Sequence, residues 1–208
     1  MLQVALVIAL GAIIVILFRK FDLVFGKDES LSIKSPLSQQ LQDQQKKREA
    51  RLKRKLQLDR ALERVRILKR KGEREKAEKV LLKLLSFFNR RPEIFYELGI
   101  LYLENKKYKN AISTLKAAIN RDSKNGFFFH ALGLAYLRNK EYQKAAENFD
   151  KALHFNNKIP YRWADLAVAL IELERFREAK EAIKQALEAE PHNIRYRAIL
   201  ESVEKKIK

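Results

Sequence analysis

A repeat of 34 residues constrains the fold of this chain more than any other feature of its sequence. The pair Leu98-Gly99 recurs as Leu132-Gly133 and, one period later, as Leu166-Ala167. A period of this length, with only 6 Gly and 4 Pro among 208 residues, predicts pairs of helices that bury their apolar faces by stacking. Other positions recur in step: Tyr102, Tyr136 and Leu170; Tyr108, Tyr142 and Phe176; Ala111, Ala145 and Ala179; Leu115, Phe149 and Ile183; Ala118, Ala152 and Ala186.

Small residues within each period predict close helix crossings. Gly99 and Gly133 lie in the middle of a helical pattern, where glycine costs about 1 kcal/mol relative to alanine. We therefore expect a neighbouring helix to pass too close for a larger side chain at both positions. A branched side chain at Gly133 is expected to push the helices apart. Gly126, at the start of a period, is expected to tolerate alanine better.

The recurring residues resemble the tetratricopeptide repeat family, whose pattern is Trp, Leu-Gly, Tyr, Ala, Phe, Ala and Pro in fixed order. Three units match this pattern: 92–125, 126–159 and 160–193. The same frame gives a degenerate unit at 58–91 and a single capping helix at 194–208. The resemblance implies an all-α fold, an α-solenoid of helix pairs. The degenerate unit has Arg64-Val65 in place of the Leu-Gly pair but keeps Ala61, Leu68, Gly72, Ala77 and Leu81.

The resemblance also implies a concave groove lined by the first helix of each unit, through its second, fifth, ninth and twelfth positions. The aromatic residues among them are expected to contact a protein partner, while Ile100, Leu134 and Val168 serve equally well as helix packing. No Lys, Arg or Asn stands at these positions in the three clear units, so a peptide-carboxylate clamp is not expected. The degenerate unit places Arg66 and Lys69 there, which predicts a basic end to the groove. The candidate groove residues are Tyr96, Ile100, Leu103, Phe127, His130, Leu134, Leu137, Tyr161, Val168 and Ile171.

Residues 1–18 carry no charged side chain, and as a helix rising 1.5 Å per residue they would span about 27 Å, close to the thickness of a bilayer core. They predict a single transmembrane anchor. A cleaved signal peptide fits less well, because no basic residue precedes the run and Leu17-Phe18-Arg19-Lys20 is not a cleavage site. A buried core helix is the remaining alternative. The flanking basic residues follow the run, so the positive-inside rule predicts the N-terminus outside and the repeats in the cytoplasm.

A polar segment, 19–45, is expected to be a flexible linker that turns helical near Ser38, followed by a basic helix at 46–57. The absence of Gly and Pro from 39 to 71 favours a helix there. Residues 46–71 hold thirteen basic side chains against three acidic ones, more than half of the net charge of +18. Three interpretations stay open: a solvated helix, contact with anionic lipid, and phosphate-driven binding of RNA or DNA. The last lacks aromatic residues for base stacking. The candidate basic patch is Lys46, Lys47, Arg48, Arg51, Lys53, Arg54, Lys55 and Arg60.

Nothing in the sequence indicates catalysis. The chain has no Cys, and its three His are too far apart for a metal pair on one helix. Asp165 and Glu97 are interpreted as isolated acids, and His130 as a rim or partly buried histidine. We therefore expect no enzyme, cofactor or metal. The favoured function is a membrane-anchored adaptor that binds a helix or an extended apolar segment. A tether for RNA, ribosomes or anionic lipid is the alternative, and self-association stays open.

Overall fold

A computed structural model of the chain describes Lys20 and residues 36–207, with side-chain exposure described from residue 39 of the second range. No strand occurs in the described part, and the expectation of an all-helical fold is confirmed. The chain divides into two compact units, Met1–Arg54 and Lys55–Lys208. The helices are α1 (Pro36–Arg70), α2 (Arg74–Phe87), α3 (Pro92–Glu104), α4 (Tyr108–Ile119), α5 (Gly126–Arg138), α6 (Tyr142–Phe155), α7 (Pro160–Glu172), α8 (Phe176–Ala189) and α9 (Ile194–Ile207).

The helices repeat with the period of the sequence. The first helices α3, α5, α7 and α9 start 34 residues apart, and so do the second helices α2, α4, α6 and α8. Pro92 and Pro160 open α3 and α7, where a missing backbone N–H costs no helical hydrogen bond. Asn125 instead caps α5, because its side-chain oxygen accepts a hydrogen bond from the Phe127 N–H at 3.0 Å.

Close packing inside each pair explains the mid-helix glycines. A Cβ at Gly99 would lie 2.6 Å from Leu115 Cγ, and one at Gly133 would lie 2.6 Å from the Phe149 ring. Both facing side chains are fully buried, so neither has room to move away. Gly126 differs from our expectation: it is buried, and a Cβ there would lie 2.9 Å from Phe155 Cβ. A period boundary in the sequence therefore coincides with a tight contact in the fold.

Every turn inside a helix pair uses the same backbone geometry. Gly72, Lys106, Lys140 and Glu174 lie 34 residues apart and have φ of 74°, 58°, 64° and 59°, in the left-handed region. After α3, the N–H of Lys107 donates to the Tyr102 carbonyl at 2.8 Å and the N–H of Lys106 donates to the Leu103 carbonyl at 3.0 Å. These two bonds form a Schellman motif. Only the degenerate unit fills the left-handed position with glycine.

Helix α1 begins at Pro36, close to Ser38, where the linker was expected to turn helical. From Pro36 the helix continues without a break through residue 45 and the basic helix expected at 46–57. No Gly or Pro follows Pro36 within α1, so nothing in the backbone ends the helix before Lys71-Gly72. Residues 39–57 are all exposed, and Leu58 and Val65 are the first side chains of α1 to enter the core.

No helix in residues 36–207 is both long enough and apolar enough to cross a membrane. The anchor expected at residues 1–18 lies outside the described residues, as does most of the expected linker before residue 36.

Candidate partner-binding groove

The first helices carry the candidate groove residues, and these residues differ in exposure. The side chains of Phe127 and Tyr161 are 52% and 39% exposed. The other eight are half-buried: Tyr96, Ile100, Leu103, His130, Leu134, Leu137, Val168 and Ile171. Six of those eight pack against the core cluster: Tyr96, Ile100, Leu103, Leu134, Leu137 and Ile171. Each first helix therefore presents aliphatic side chains that are buried on one side only.

Aromatic contacts connect successive first helices. The Tyr96 ring on α3 lies 5.2 Å from the Phe128 ring on α5, and the His130 ring on α5 lies 5.0 Å from the Tyr161 ring on α7. Burial, and then the nearby Glu97 carboxylate, raise the pKa of the Tyr96 hydroxyl. Within residues 39–207, no ring pair joins Tyr96, Phe127 and Tyr161 directly. Tyr96 and Tyr161 therefore each contact an aromatic ring on a neighbouring first helix.

A polar row that was not predicted from the sequence crosses the same helices. His130 Nε2 on α5 lies 2.9 Å from Asp165 Oδ2 on α7, with both side chains largely buried. The other carboxylate oxygen of Asp165 lies 3.5 Å from Arg195 Nη2 on α9. Asp165 is therefore not the isolated acid that we expected. His130 and Asp165 are 35 residues apart, one more than the repeat period, so they lie at neighbouring positions on successive first helices. This spacing could have indicated the pair.

The expected basic end of the groove is partly neutralised. Lys69 Nζ at the end of α1 lies 2.9 Å from Glu104 and 3.8 Å from Glu97, both on α3. Arg66 pairs within its own helix, with Glu63 at 3.2 Å. Glu97, the second acid that we expected to be isolated, thus pairs with Lys69. These ion pairs connect α1 to the clear repeats and remove part of the positive charge predicted for the groove.

Arg162, on the first turn of α7, is a buried cation that the sequence analysis did not identify. Its side chain is 1% exposed, and its Nη1 donates to the Ala152 carbonyl at 2.6 Å and to the Asn156 carbonyl at 3.3 Å. Those carbonyls end α6, where the helix dipole attracts a cation. The guanidinium lies 5.0 Å from the centre of the Phe127 ring. Phe127 thus covers a buried charge in addition to any contact it makes with a partner.

Contacts between side chains run from α1 to α9 across every first helix, and paired second helices pack behind them. A chain of this kind is an α-solenoid built from stacked helix pairs. Two family profiles described as tetratricopeptide repeat match it, one over residues 92–125 and one over residues 136–203. The chain is a tetratricopeptide repeat protein, as the resemblance implied.

Solved structures show the same fold at low sequence identity. A crystal structure of MamA is 21% identical, with a TM-score of 0.64 over 66% of this chain and 81% of that one. The first repeat domain of Spaghetti (RPAP3), bound to the HSP90 peptide SRMEEVD, is 23% identical, with a TM-score of 0.55 over 56% of this chain and 93% of that one. The Sgt2 repeat domain from Aspergillus fumigatus is 24% identical, with a TM-score of 0.53 over 56% of this chain and 78% of that one. No curated protein matches the sequence.

Tetratricopeptide repeats are scaffolds for contacts between proteins and are typically not enzymes. A surface of half-buried aliphatic and exposed aromatic side chains suits this role, because such side chains gain the most from losing water to a partner.

Proposed function

We propose that this protein is an adaptor that holds a protein partner against the first helices of its repeats. The observation that carries the proposal is the exposure of Phe127 and Tyr161 beside the half-buried aliphatic side chains of α3, α5 and α7. Aromatic side chains in such positions commonly dominate binding energies. A partner with one apolar face, either an amphipathic helix or an extended segment, fits this surface.

We further propose that residues 1–18 anchor the protein in a membrane, with the repeats on the cytoplasmic side. The uncharged run and the basic residues that follow it support this topology. The protein should then stay with membranes during carbonate extraction, and its repeats should resist protease added to intact cells. Digestion of the repeats from outside the cell would contradict the orientation, and release by carbonate would contradict the anchor.

A photo-crosslinking amino acid tests the groove best, since it keeps an aromatic side chain at the position that it replaces. Replacing Tyr161 with benzoylphenylalanine puts the reactive group on α7 within the groove. Phe155 at the end of α6 is a matched control, because it is 47% exposed but belongs to a second helix. We expect a discrete adduct from position 161, none from position 155, and loss of the adduct in a background with Ile171→Gln. Equal adducts from both positions would refute the groove.

One observation favours a second function, binding to a phosphate-bearing surface. Every residue from 39 to 57 is exposed, so the basic side chains of this stretch are accessible to RNA, a ribosome or anionic lipid. The dependence of binding on ionic strength distinguishes the two functions, because phosphate contacts weaken steeply as ionic strength rises and apolar contacts do not. Binding of a partner that persists at high salt supports the first function, through the groove. Binding that is lost at high salt supports the second function, through the basic segment.

A further inference from the structure

A second apolar surface lies between α1 and α2, outside the groove of the proposed function. It is a depression of about 420 Å³ lined by both helices. Its floor is apolar, formed by Ala61, Val80 and Leu84, and Phe87 stands at its edge with 70% of its side chain exposed. Phe87 is the most exposed aromatic side chain among residues 39–207. We call this surface the edge groove.

The rim of the edge groove is basic. Arg60 and Arg64 come from α1 and Lys83 from α2, with Gln57 as the remaining polar side chain. No carboxylate within the described ranges pairs with any of these three cations, although ion pairs are common elsewhere on the surface. Uncompensated cations around an apolar floor attract a ligand that carries negative charge and an apolar part.

The net positive charge around the edge groove argues against a second copy of this chain as the molecule that binds there. Residues 55–91 carry thirteen basic and five acidic side chains, so two edge grooves repel each other. The far end of the repeats is α9, which carries four basic and two acidic side chains and is also positive. Neither symmetric nor head-to-tail association through this surface is therefore favoured.

We propose that the edge groove docks on an anionic membrane surface. Ten of the thirteen basic side chains lie on the two helices, and an extended negative surface meets the unpaired Arg60, Arg64 and Lys83 of the rim together. A nucleic acid offers phosphates and a base that can stack on Phe87, but no apolar phase for Val80 and Leu84. A bilayer offers both, because lipid phosphates face the basic rim while the Phe87 ring enters the boundary between headgroups and acyl chains. The inference rests on the second proposed function, binding to a phosphate-bearing surface, and selects anionic lipid as its target; it uses none of the residues of the partner-binding groove.

The repeat supplies a matched control for a test at Phe87. Phe155 stands two periods later, at the same end of the equivalent second helix, and is 47% exposed. Phe155 stacks on Phe129 at 5.7 Å, and the depression that it lines has no Lys or Arg side chain. The variants Phe87→Trp and Phe155→Trp therefore place the same fluorophore at equivalent positions. Both are made together with Trp163→Phe, the residue type at the equivalent positions 95 and 129, so that each protein has one tryptophan.

The full chain is reconstituted with vesicles whose phosphatidylcholine carries bromine on its acyl chains, with or without phosphatidylglycerol. We expect the emission of Phe87→Trp to be quenched in the anionic vesicles and not in the neutral ones. The emission of Phe155→Trp should be the same in both. Adding Arg60→Gln, Arg64→Gln and Lys83→Gln to Phe87→Trp should abolish the quenching, with an unchanged circular dichroism spectrum. Because an anchor would hold the chain on both kinds of vesicle, a difference between them reports on lipid charge.

Three results would overturn the proposal. Unquenched emission of Phe87→Trp in anionic vesicles shows that the ring does not reach the bilayer. Equal quenching in neutral vesicles shows that the anchor alone brings it there. A shift of Phe87→Trp emission on adding RNA to the neutral vesicles, equal to the shift in anionic ones, assigns the surface to nucleic acid.

Discussion

The left-handed residues in the repeat turns predict a stabilising substitution. Lys106, Lys140 and Glu174 have φ near 60°, where an L-residue costs about 1–2 kcal/mol and glycine costs much less. Glycine also loses about 0.5–1 kcal/mol more backbone entropy on folding, so the net gain is about 0.5–1 kcal/mol per site. None of these three side chains makes a hydrogen bond or ion pair with another described residue. The triple glycine variant should therefore gain about 2 kcal/mol, by addition of well-separated sites.

Thermal unfolding followed by circular dichroism measures this gain. For a chain of this size, about 2 kcal/mol corresponds to a rise of roughly 4–8 °C in Tm. Lys109→Gly is the matched control, because Lys109 is an exposed lysine three residues further along, inside α4. Glycine inside a helix costs about 0.5–1 kcal/mol, so the same Lys→Gly change should lower Tm there. Gly72→Ala should also lower it. If Lys106→Gly and Lys109→Gly both lower Tm, the left-handed backbone is not a source of strain.

Three further predictions follow from buried contacts. Gly133→Val should cost about 1–3 kcal/mol in urea denaturation, because the Phe149 ring has no room to move, and Gly126→Ala should also destabilise measurably. Arg162→Ala should cost at least about 2 kcal/mol in the same assay, since it removes charged hydrogen bonds of about 1.5–3 kcal/mol each, whereas an unchanged midpoint would mean that the buried cation stabilises nothing. The raised pKa of Tyr96 means that the native state holds this proton more tightly than the unfolded chain does, so stability should fall as pH rises above about 10. Tyr96→Phe should flatten that fall, and equal slopes in the two proteins would contradict the assigned cause.

Features that follow from the residue type at a single position were predicted from the sequence. Gly99 and Gly133 indicated close crossings because glycine weakens a helix and is favoured inside one only where a neighbouring helix leaves no space for a side chain. The facing side chains of Leu115 and Phe149 confirm this prediction. The turn residue Lys106 gave no such indication, because a lysine there carries a backbone cost that hydrogen bonds offset.

Features that depend on two units at once were missed. Asp165 looked isolated along its own helix, and only stacking brings it to His130 and Arg195. Arg162 looked like an ordinary exposed arginine in a Tyr-Arg-Trp sequence, yet the end of the preceding helix buries it. Gly126 lies partly at such a junction, because a Cβ there would lie 3.0 Å from Arg162 Nη1 of the next unit as well as 2.9 Å from Phe155 Cβ of its own unit. Repeat patterns describe the inside of a unit better than the junction between units.

The ion pair between Asp165 and Arg195 links the last helix, α9, to a carboxylate on α7. Helix α9 has no helix after it among the described residues, and only Tyr196 and Val203 of its side chains are fully buried. It is also held by Lys180, whose Nζ lies 2.7 Å from Glu204. A partner that competes for the Asp165 carboxylate therefore loosens the end of the array, while one that leaves the carboxylate alone does not. Hydrogen exchange of the backbone amides of α9 therefore indicates whether a partner binds the Asp165 carboxylate, although α9 lies outside the groove.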